Sequence, residues 1–528
     1  MEARTPNKLV PLVLSLIGSC SLTTISRAEI DEPQFRADIA ALCAPSSRVV
    51  GSDGYYSAAK YLHDQVASLP NVELRRHEFP VTVPLTQSAT MTLPEGSIEA
   101  VHPFWPAGVR VNSTPPQGIT GRLVYCGTCA PDEIRPAELR GQIAVIEASA
   151  GERWTQAPYF GARAVLVLGS ADTSHVDLRP HDVLIPINVP RFYVPPGSLN
   201  DRLRGGQISG DATVRATVTW ETKPAANLYA FVPARVDRIE GWNQSQPPAA
   251  LMISVPFDSS GLVPDLAVGA SQAVQAACGL ALLRDLAREP LDRPVVVVFG
   301  GADSIQMLGT RNMLLALAES PARWDDELGL LGRKLAQERG QRERVARFET
   351  SPEKLDARRD RALLDRVARL IETDAVIEQD HLFRLRMQPP EQLGENERAR
   401  VKALDDRQVA LNTLRFTFQQ DPSRLAEPEV RELARVYMRR TIGRLETLIA
   451  QHESRERELR QRQELYRWLA GRVGRSTSPH KDASNERPIE LLVALDLSDR
   501  GVRCGPMFFG QFHRMSAVAE IQDRKSVV

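Results

Sequence analysis

Apolar positions in the middle of the chain fall into blocks of two kinds. ALMISVPF, from Ala250, reads as a strand, and AVQAACGLALLRDLARE, from Ala273, repeats its apolar residues at helical spacing. RPVVVVFGG is an unbroken β-branched run, the pattern of a parallel strand covered on both faces. LGTRNMLLALAE follows as a helix, and the next strand, PIELLVALDLS, comes only at Pro488. Upstream, over 117–225, short β-branched runs (GRLVYCG, GQIAVIEAS, ARAVLVLGS, INVPRFYVP, ATVRATVTW) are divided by Gly, Pro and Asp, with one helical piece, PAELR. This predicts a compact β-rich insert. Over 29–116, FRADIAALCAPSSRVVGSDGYYSAAKYLHDQVASL gives two amphipathic helices around a Gly-Ser-Asp-Gly turn, and VELRRHEFPVTV alternates as an edge strand.

Residues 320–487 are different. They are dense in charge and nearly free of strand pattern, and RRDRALLDRVARLIE, EVRELARVYMRRTIGRLETLIAQ and ESRERELRQRQELYRWLAG carry Glu-to-Arg pairs at helical spacing. A solvated helical hairpin or short coiled coil set into a loop is expected, and a partner-binding or self-associating arm is the sharper reading. The core pattern then occupies 226–319 and resumes at 488–522.

The 528 residues carry 66 Lys+Arg and 66 Asp+Glu, a balance that asks for neither nucleic acid nor an acidic membrane. Arg4 and Lys8 precede the apolar run LVPLVLSLIG and a polar stretch ending at Ala28, the layout of a secretory signal over 1–28. Ile17-Gly18-Ser19-Cys20 offers a competing lipoprotein box in which Cys20 would carry a lipid anchor. Either route exports the protein to a periplasmic, extracellular or lipoprotein-anchored state, and no later stretch is apolar enough for a transmembrane helix. The last six residues, DRKSVV (523–528), read as a sequencing-adapter artefact, so the genuine sequence is expected to end near Gln522. Cys126-Gly-Thr-Cys129 lacks the second ligand pair that structural zinc needs, and a small disulfide is expected. Cys278 sits in an apolar helical pattern and is expected in the core.

The order RVVGSDGYYSAAKYL, β-rich insert, ISVPFDS, a Gly-Ala helix, VVVVFGGAD, LGT and LLVALDLS resembles the M28 family of zinc aminopeptidases and carboxypeptidases. The insert is similar to the protease-associated (PA) domain common in that family. The resemblance implies an α/β fold: a mixed, mainly parallel sheet flanked by helices, interrupted by a PA domain and here by the long helical insert. It also implies two zinc ions at the C-terminal ends of the parallel strands, held by a His from His-x-Asp, a bridging Asp, a Glu, a later Asp and a final His, with a neighbouring Glu as general base.

Carried over position by position, that site is degenerate. Pro256 stands for the first His, Gln275 for the bridging Asp, Ala302 for the general base and Asp303 for the ligand Glu. Asp258 matches the aspartate that orients the His, and Asp496 the later Asp; the final His would fall past the end or at His513. No histidine lies between His181 and His381, so the core from Ala226 to Leu317 supplies no imidazole. Loss of a general base alone forfeits about 100- to 10,000-fold in rate.

Local explanations also exist for what remains. Asp258 suits a turn, Asp303 a cap for a helix starting near Ile305, and Asp496 a strand end. Together the three could hold a hard cation such as calcium or magnesium. GASQA at Gly269 resembles a nucleophile elbow but lacks its second glycine, so Ser271 reads as a helix cap. His175 and His181, with Asp172, Asp177 and Asp182, read as a polar loop or surface cation site. The expected function is an exported, non-hydrolytic M28-like protein that binds protein or peptide or acts as a scaffold and needs no cofactor. The alternative is an active zinc metallopeptidase with an atypical site.

Overall fold

The computed structural model describes residues 31–173, 178–182, 187–235, 249–318, 321–351, 359–387, 394–473, 489–498 and 501–505. The signal with Cys20, His175, Asp177, His513 and the stretch 523–528 lie outside the described residues. The chain divides into two compact units. One runs up to Ala318 and resumes at Glu464, and the other is Glu319–Gln463.

The first unit opens with helices α1 (Glu32–Cys43) and α2 (Asp53–Ala67). Asp31 caps α1 by accepting the Gln34 N–H, and Ser52 caps α2 by accepting that of Tyr55 at 3.2 Å. Both caps satisfy helix-end donors that have no partner of their own within the helix. The turn between the helices needs its glycines: Gly51 has φ 92, and a Cβ on Gly54 would meet the Ser47 carbonyl oxygen at 2.0 Å.

Among the described residues, twelve strands form one mixed sheet. They are β1 (Glu73–Thr92), β2 (Ile98–Ala100), β3 (His102–Pro103), β4 (Ile119–Tyr125), β5 (Ile143–Glu147), β6 (Ala164–Leu168), β7 (Arg191–Val194), β8 (Asp211–Val232), β9 (Ala250–Pro256), β10 (Val295–Gly300), β11 (Ile489–Ser498) and β12 (Gly501–Gly505). Their order is β12-β11-β9-β10-β8-β4-β5-β6-β7-β3, with β1 on β8 and β2 on β1. Two parallel runs, β11-β9-β10 and β4-β5-β6-β7, are joined by antiparallel β8.

The long β1/β8 ribbon departs from the pattern-based expectation. The pattern placed a boundary at 225/226, yet ATVRATVTW and AANLYAF are one strand, β8, paired with β1 from Glu73↔Phe231 to Thr92↔Thr213. Within it, Pro224 sits opposite Pro80. Neither has an N–H to offer, so the two prolines face each other without stranding a donor. The predicted insert and core therefore share a strand.

Helices α3 (Ala270–Arg288) and α4 (Leu308–Ala318) flank the parallel run. The unbroken apolar runs are buried on both faces, as their composition predicted. Val295, Val297 and Phe299 of β10 join Leu280 and Leu283 of α3 and Leu62 and Val66 of α2 in one cluster. Val296 and Val298 join Met313 and Ala316 of α4 in the other. Leu465, Leu469 and Val473 pack into this second cluster, so the chain rejoins the first unit well before the end of the charged stretch.

The second unit contains helices α5 (Pro321–Thr350), α6 (Arg361–Arg386), α7 (Glu395–Gln419) and α8 (Pro428–Ala470), the last counted up to Gln463. It is more than a wet hairpin. Val345, Leu364, Ile371, Leu411, Phe418, Tyr437 and Leu445 build a core of its own. Ion pairs Arg342–Glu446 (2.7 Å) and Arg439–Glu349 (2.6 Å) set α5 antiparallel to α8, and Arg386–Asp405 and Arg415–Glu372 do the same for α6 and α7.

Candidate functional site

Strands β9 and β10 are parallel and end level, Pro256 opposite Gly300. The last position of β11 paired with β9, Ala494, lies opposite Ser254, so Asp496 comes two residues later, level with Pro256. The three sequence-predicted aspartates thus come from loops or strand ends at one edge of the sheet, the edge where open α/β sheets bind ligands. For Asp496 this placement is that of its backbone.

Asp258 is fully buried. Its Oδ1 accepts the N–H of Asp303 at 3.0 Å, the Ser304 N–H reaches both of its oxygens, and the Ser304 hydroxyl donates to Oδ2. It does act as an N–H acceptor, but for the loop after β10 and not for its own turn. Burial pushes its pKa up to about 7, against the opposing pull of those hydrogen bonds. Asp303 accepts the Thr310 N–H at 2.6 Å and the Thr310 hydroxyl at 3.1 Å. It caps α4, which begins at Leu308 and not near Ile305. Burial raises its pKa to about 6.

The loop linking these groups is conformationally costly. Ala302, Gln306 and Met307 all take positive φ, at 66, 50 and 57. Left-handed backbone costs a non-glycine residue about 1–2 kcal/mol. Such clusters persist only where the surroundings over-determine them, and here the Asp258 and Asp303 bonds hold both ends of the loop.

Sequence reasoning missed the groups that fill the space around this cluster. The Arg48 guanidinium is buried and donates to three carbonyls: Leu42 at 2.6 Å, Phe257 at 3.1 Å and Gly269 at 2.7 Å. Burial lowers its pKa. Tyr55 stacks on Phe257 with centroids 5.3 Å apart and accepts the Ala226 N–H. Asn227 accepts the Gly301 N–H and donates to the Gly309 carbonyl. The signal for Arg48 was a lone arginine before the helix-flanking turn, which no periodicity marks as buried.

The remaining predicted positions supply little. The side chains of Pro256 and Ala302 carry no nitrogen or oxygen to donate to a metal. Gln275 is buried in the second turn of α3. Ser271 does not cap α3. Gly269, at φ 64, is the N-cap, and the serine hydroxyl donates to Gln272. Among the described residues no group of three or more His, Cys, Asp or Glu could hold a metal ion. The described residues do not fit a dinuclear zinc site: two carboxylates already engaged by backbone N–H groups, with no imidazole beside them among the described residues, are a poor shell for that ion.

Elsewhere, His181 is fully buried, with Nε2 donating to the Ala148 carbonyl at 2.6 Å, so it belongs to a core and not to a surface cation site. The Arg191 guanidinium lies 4.2 Å from the Trp154 ring centroid and 5.1 Å from that of Phe104. Cys126 and Cys129, the pair expected to form a disulfide, are buried and carry free thiols in this structure. An open cleft of about 440 Å³ lies beside β4, far in sequence from the sheet edge, with Tyr125, Gly127, Glu133 and Arg135 in its wall. No helix among the described residues is long and apolar enough to cross a membrane.

No protein-family model matches the chain, and no curated protein matches it in sequence. Solved structures with similar coordinates include BSAP, a zinc aminopeptidase from Bacillus subtilis, at 16% identity and a TM-score of 0.39. That match covers 53% of this chain and 63% of the other, less than two thirds of its length. An aminopeptidase from Aneurinibacillus sp. strain AM-1 matches at 20% identity and TM-score 0.32, covering 56% and 68%. A peptidase M28 precursor from Shewanella amazonensis SB2B matches at 14% identity and TM-score 0.35, covering 58% and 70%. Likenesses this weak assign no chemistry to the sheet edge; only the side chains found there do.

Proposed function

We propose that this is an exported M28-like protein that has kept the peptidase scaffold, with a PA-like insert, and does not hydrolyse peptides. Its role is to bind protein or peptide, or to act as a scaffold, with the helical unit as the partner-facing or self-associating part. One observation carries the reading. The carboxylates of Asp258 and Asp303 are spent on the loop's own backbone, next to positions, Pro256 and Ala302, that offer neither a nitrogen donor nor a proton acceptor. Hydrolysis of a peptide bond needs an activated water and a base to take its proton, and these residues provide neither.

The test is metal analysis of the purified full chain after equilibration with zinc, together with assays on aminoacyl and peptidyl substrates. The expected result is a folded protein with substoichiometric zinc and no cleavage. Stoichiometric zinc with turnover would establish the active-metallopeptidase alternative instead.

A further inference from the structure

The Cys126-Gly127-Thr128-Cys129 turn has a geometry that its sequence spacing alone does not give. The Cys129 N–H donates to the Cys126 carbonyl at 2.8 Å, closing a four-residue turn whose ends are the two cysteines. A turn closed this way holds its end Cα atoms within about 7 Å. A disulfide bridges Cα atoms about 4.4–6.8 Å apart. Both side chains, 1% and 2% exposed, enter the same apolar cluster, with Trp154 and Phe104.

The outer side of the turn is gripped by polar groups. Glu133 Oε2 accepts the Thr128 N–H at 2.7 Å, the Thr128 hydroxyl at 2.9 Å and the Ala130 N–H at 3.3 Å. Arg153 donates to the Thr128 carbonyl at 2.9 Å. A Cβ on Gly127 would lie 2.7 Å from the Glu133 carboxylate, so only glycine admits this grip, and Gly127 also takes φ 52. Cys129 itself sits at φ 58, an uncommon place for a non-glycine residue. Gly127 and Glu133 are at the same time part of the wall of the 440 Å³ cleft.

We infer that Cys126 and Cys129 are the two halves of a reversible disulfide whose closure locks the wall of that cleft. The chemistry is thiol–disulfide exchange with a small disulfide oxidant such as oxidised glutathione. A thiolate of the pair attacks the oxidant and releases one glutathione thiol; the second cysteine then attacks the mixed disulfide and releases the other. The pair loses two protons and two electrons, and the oxidant gains both. Burial raises the two thiols to about 11 and about 12, which makes the exchange slow without preventing it. The inference does not depend on the peptidase-like reading.

The experiment uses the full chain in a glutathione redox buffer, approached both from the reduced native protein and by refolding in the buffer. Free thiols are alkylated, the peptides are mapped by mass, and hydrogen exchange is followed at the Thr128 and Ala130 amides. The expected result is a Cys126–Cys129 crosslink lighter by two hydrogens, with Cys43 and Cys278 still alkylated. Exchange at the two amides should slow by roughly tenfold, the order expected when a short loop is closed covalently. Cys126→Ala and Cys129→Ala, made separately, should each abolish the slowing, so one folded variant suffices. Stable glutathione adducts, pairing with Cys43 or Cys278, or a crosslink that leaves both amides exchanging as before would each overturn the inference.

Discussion

Asp258 Oδ1 accepts the backbone N–H of Asp303 at 3.0 Å, tying the loop after β9 to the loop after β10. The bond uses one carboxylate at this edge of the sheet to position the backbone of the other. Replacing Asp258 with Ala leaves the Asp303 and Ser304 N–H groups without their acceptor, while the Ser304 hydroxyl keeps the Ser259 carbonyl at 2.9 Å. The expected cost is about 3 kcal/mol, read as a lower urea midpoint. Unchanged stability in Asp258→Ala would show that the loop holds itself without the carboxylate.

Ala302 tests the strain in the same loop. Its φ of 66 favours glycine, yet its methyl group is fully buried in the main core. Relief of about 1–2 kcal/mol of left-handed strain is offset by about 0.8 kcal/mol of lost methyl burial. Ala302→Gly is therefore expected to be neutral or slightly stabilising. Ala302→Val, which adds bulk to the same backbone conformation, should lose about 2 kcal/mol or more. Thermal denaturation of the pair gives both signs in one comparison.

The two aspartates also give a pH dependence with a definite sign. Their native pKa values, about 7 and about 6, lie above the ordinary 3.8, so the folded state holds these protons more tightly than the unfolded chain. This contribution is fully present below 3.8 and is lost as pH rises through 6 and 7. His181 acts in the other direction: burial lowers its pKa from 6.5, so its contribution is lost as pH falls below that value. The Asp258→Asn variant removes one acidic titration and leaves His181 in place. Its stability should fall less than that of the natural chain between pH 4 and 7, as measured by denaturation at each pH.

Asp38 and Arg284 form a largely buried ion pair in the first unit. Two contacts, at 2.6 and 3.1 Å, join them, and Tyr61 and Gln34 also donate to the fully buried Asp38 carboxylate. Removing one member leaves the other charge buried. Asp38→Ala should cost about 3–5 kcal/mol, and Arg284→Met about as much. The double variant should recover part of the loss, and a strictly additive double variant would show that the two charges are not coupled.

In the helical unit, apolar packing should outweigh the ion pairs. Phe418 is fully buried, and Phe418→Ala should cost about 3–5 kcal/mol. Arg342→Ala breaks an exposed pair, which is worth less than about 1 kcal/mol. Denaturation followed by far-ultraviolet circular dichroism should show this ordering. The reverse ordering would mean that the charged ladder, and not the core, holds the unit.

Much of the architecture was legible in the chain. The β-branched run of β10 announced a parallel strand buried on both sides, because such a strand has no polar face to alternate. The Ser52 and Asp31 caps were written in short polar residues ahead of helical patterns. The second unit was legible as helix but not as a core. Its Leu363, Leu364, Ile371 and Phe418 are diluted by arginine and glutamate, and only the antiparallel pairing of four helices gathers them. The β1/β8 ribbon was hidden for a related reason: Pro80 and Pro224 each look like a break until they are seen to face one another.

The sequence by itself determined which side chains stand at the sheet edge, because residue identity alone decides that Pro256 and Ala302 carry no side-chain nitrogen or oxygen. Only the tertiary structure decided what the surviving carboxylates do. Hydrogen-bond partners such as Asp258 and Ser304, or Arg48 and Gly269, are brought together by the parallel sheet across long stretches of chain. No local pattern of apolar and polar residues encodes a contact at that separation.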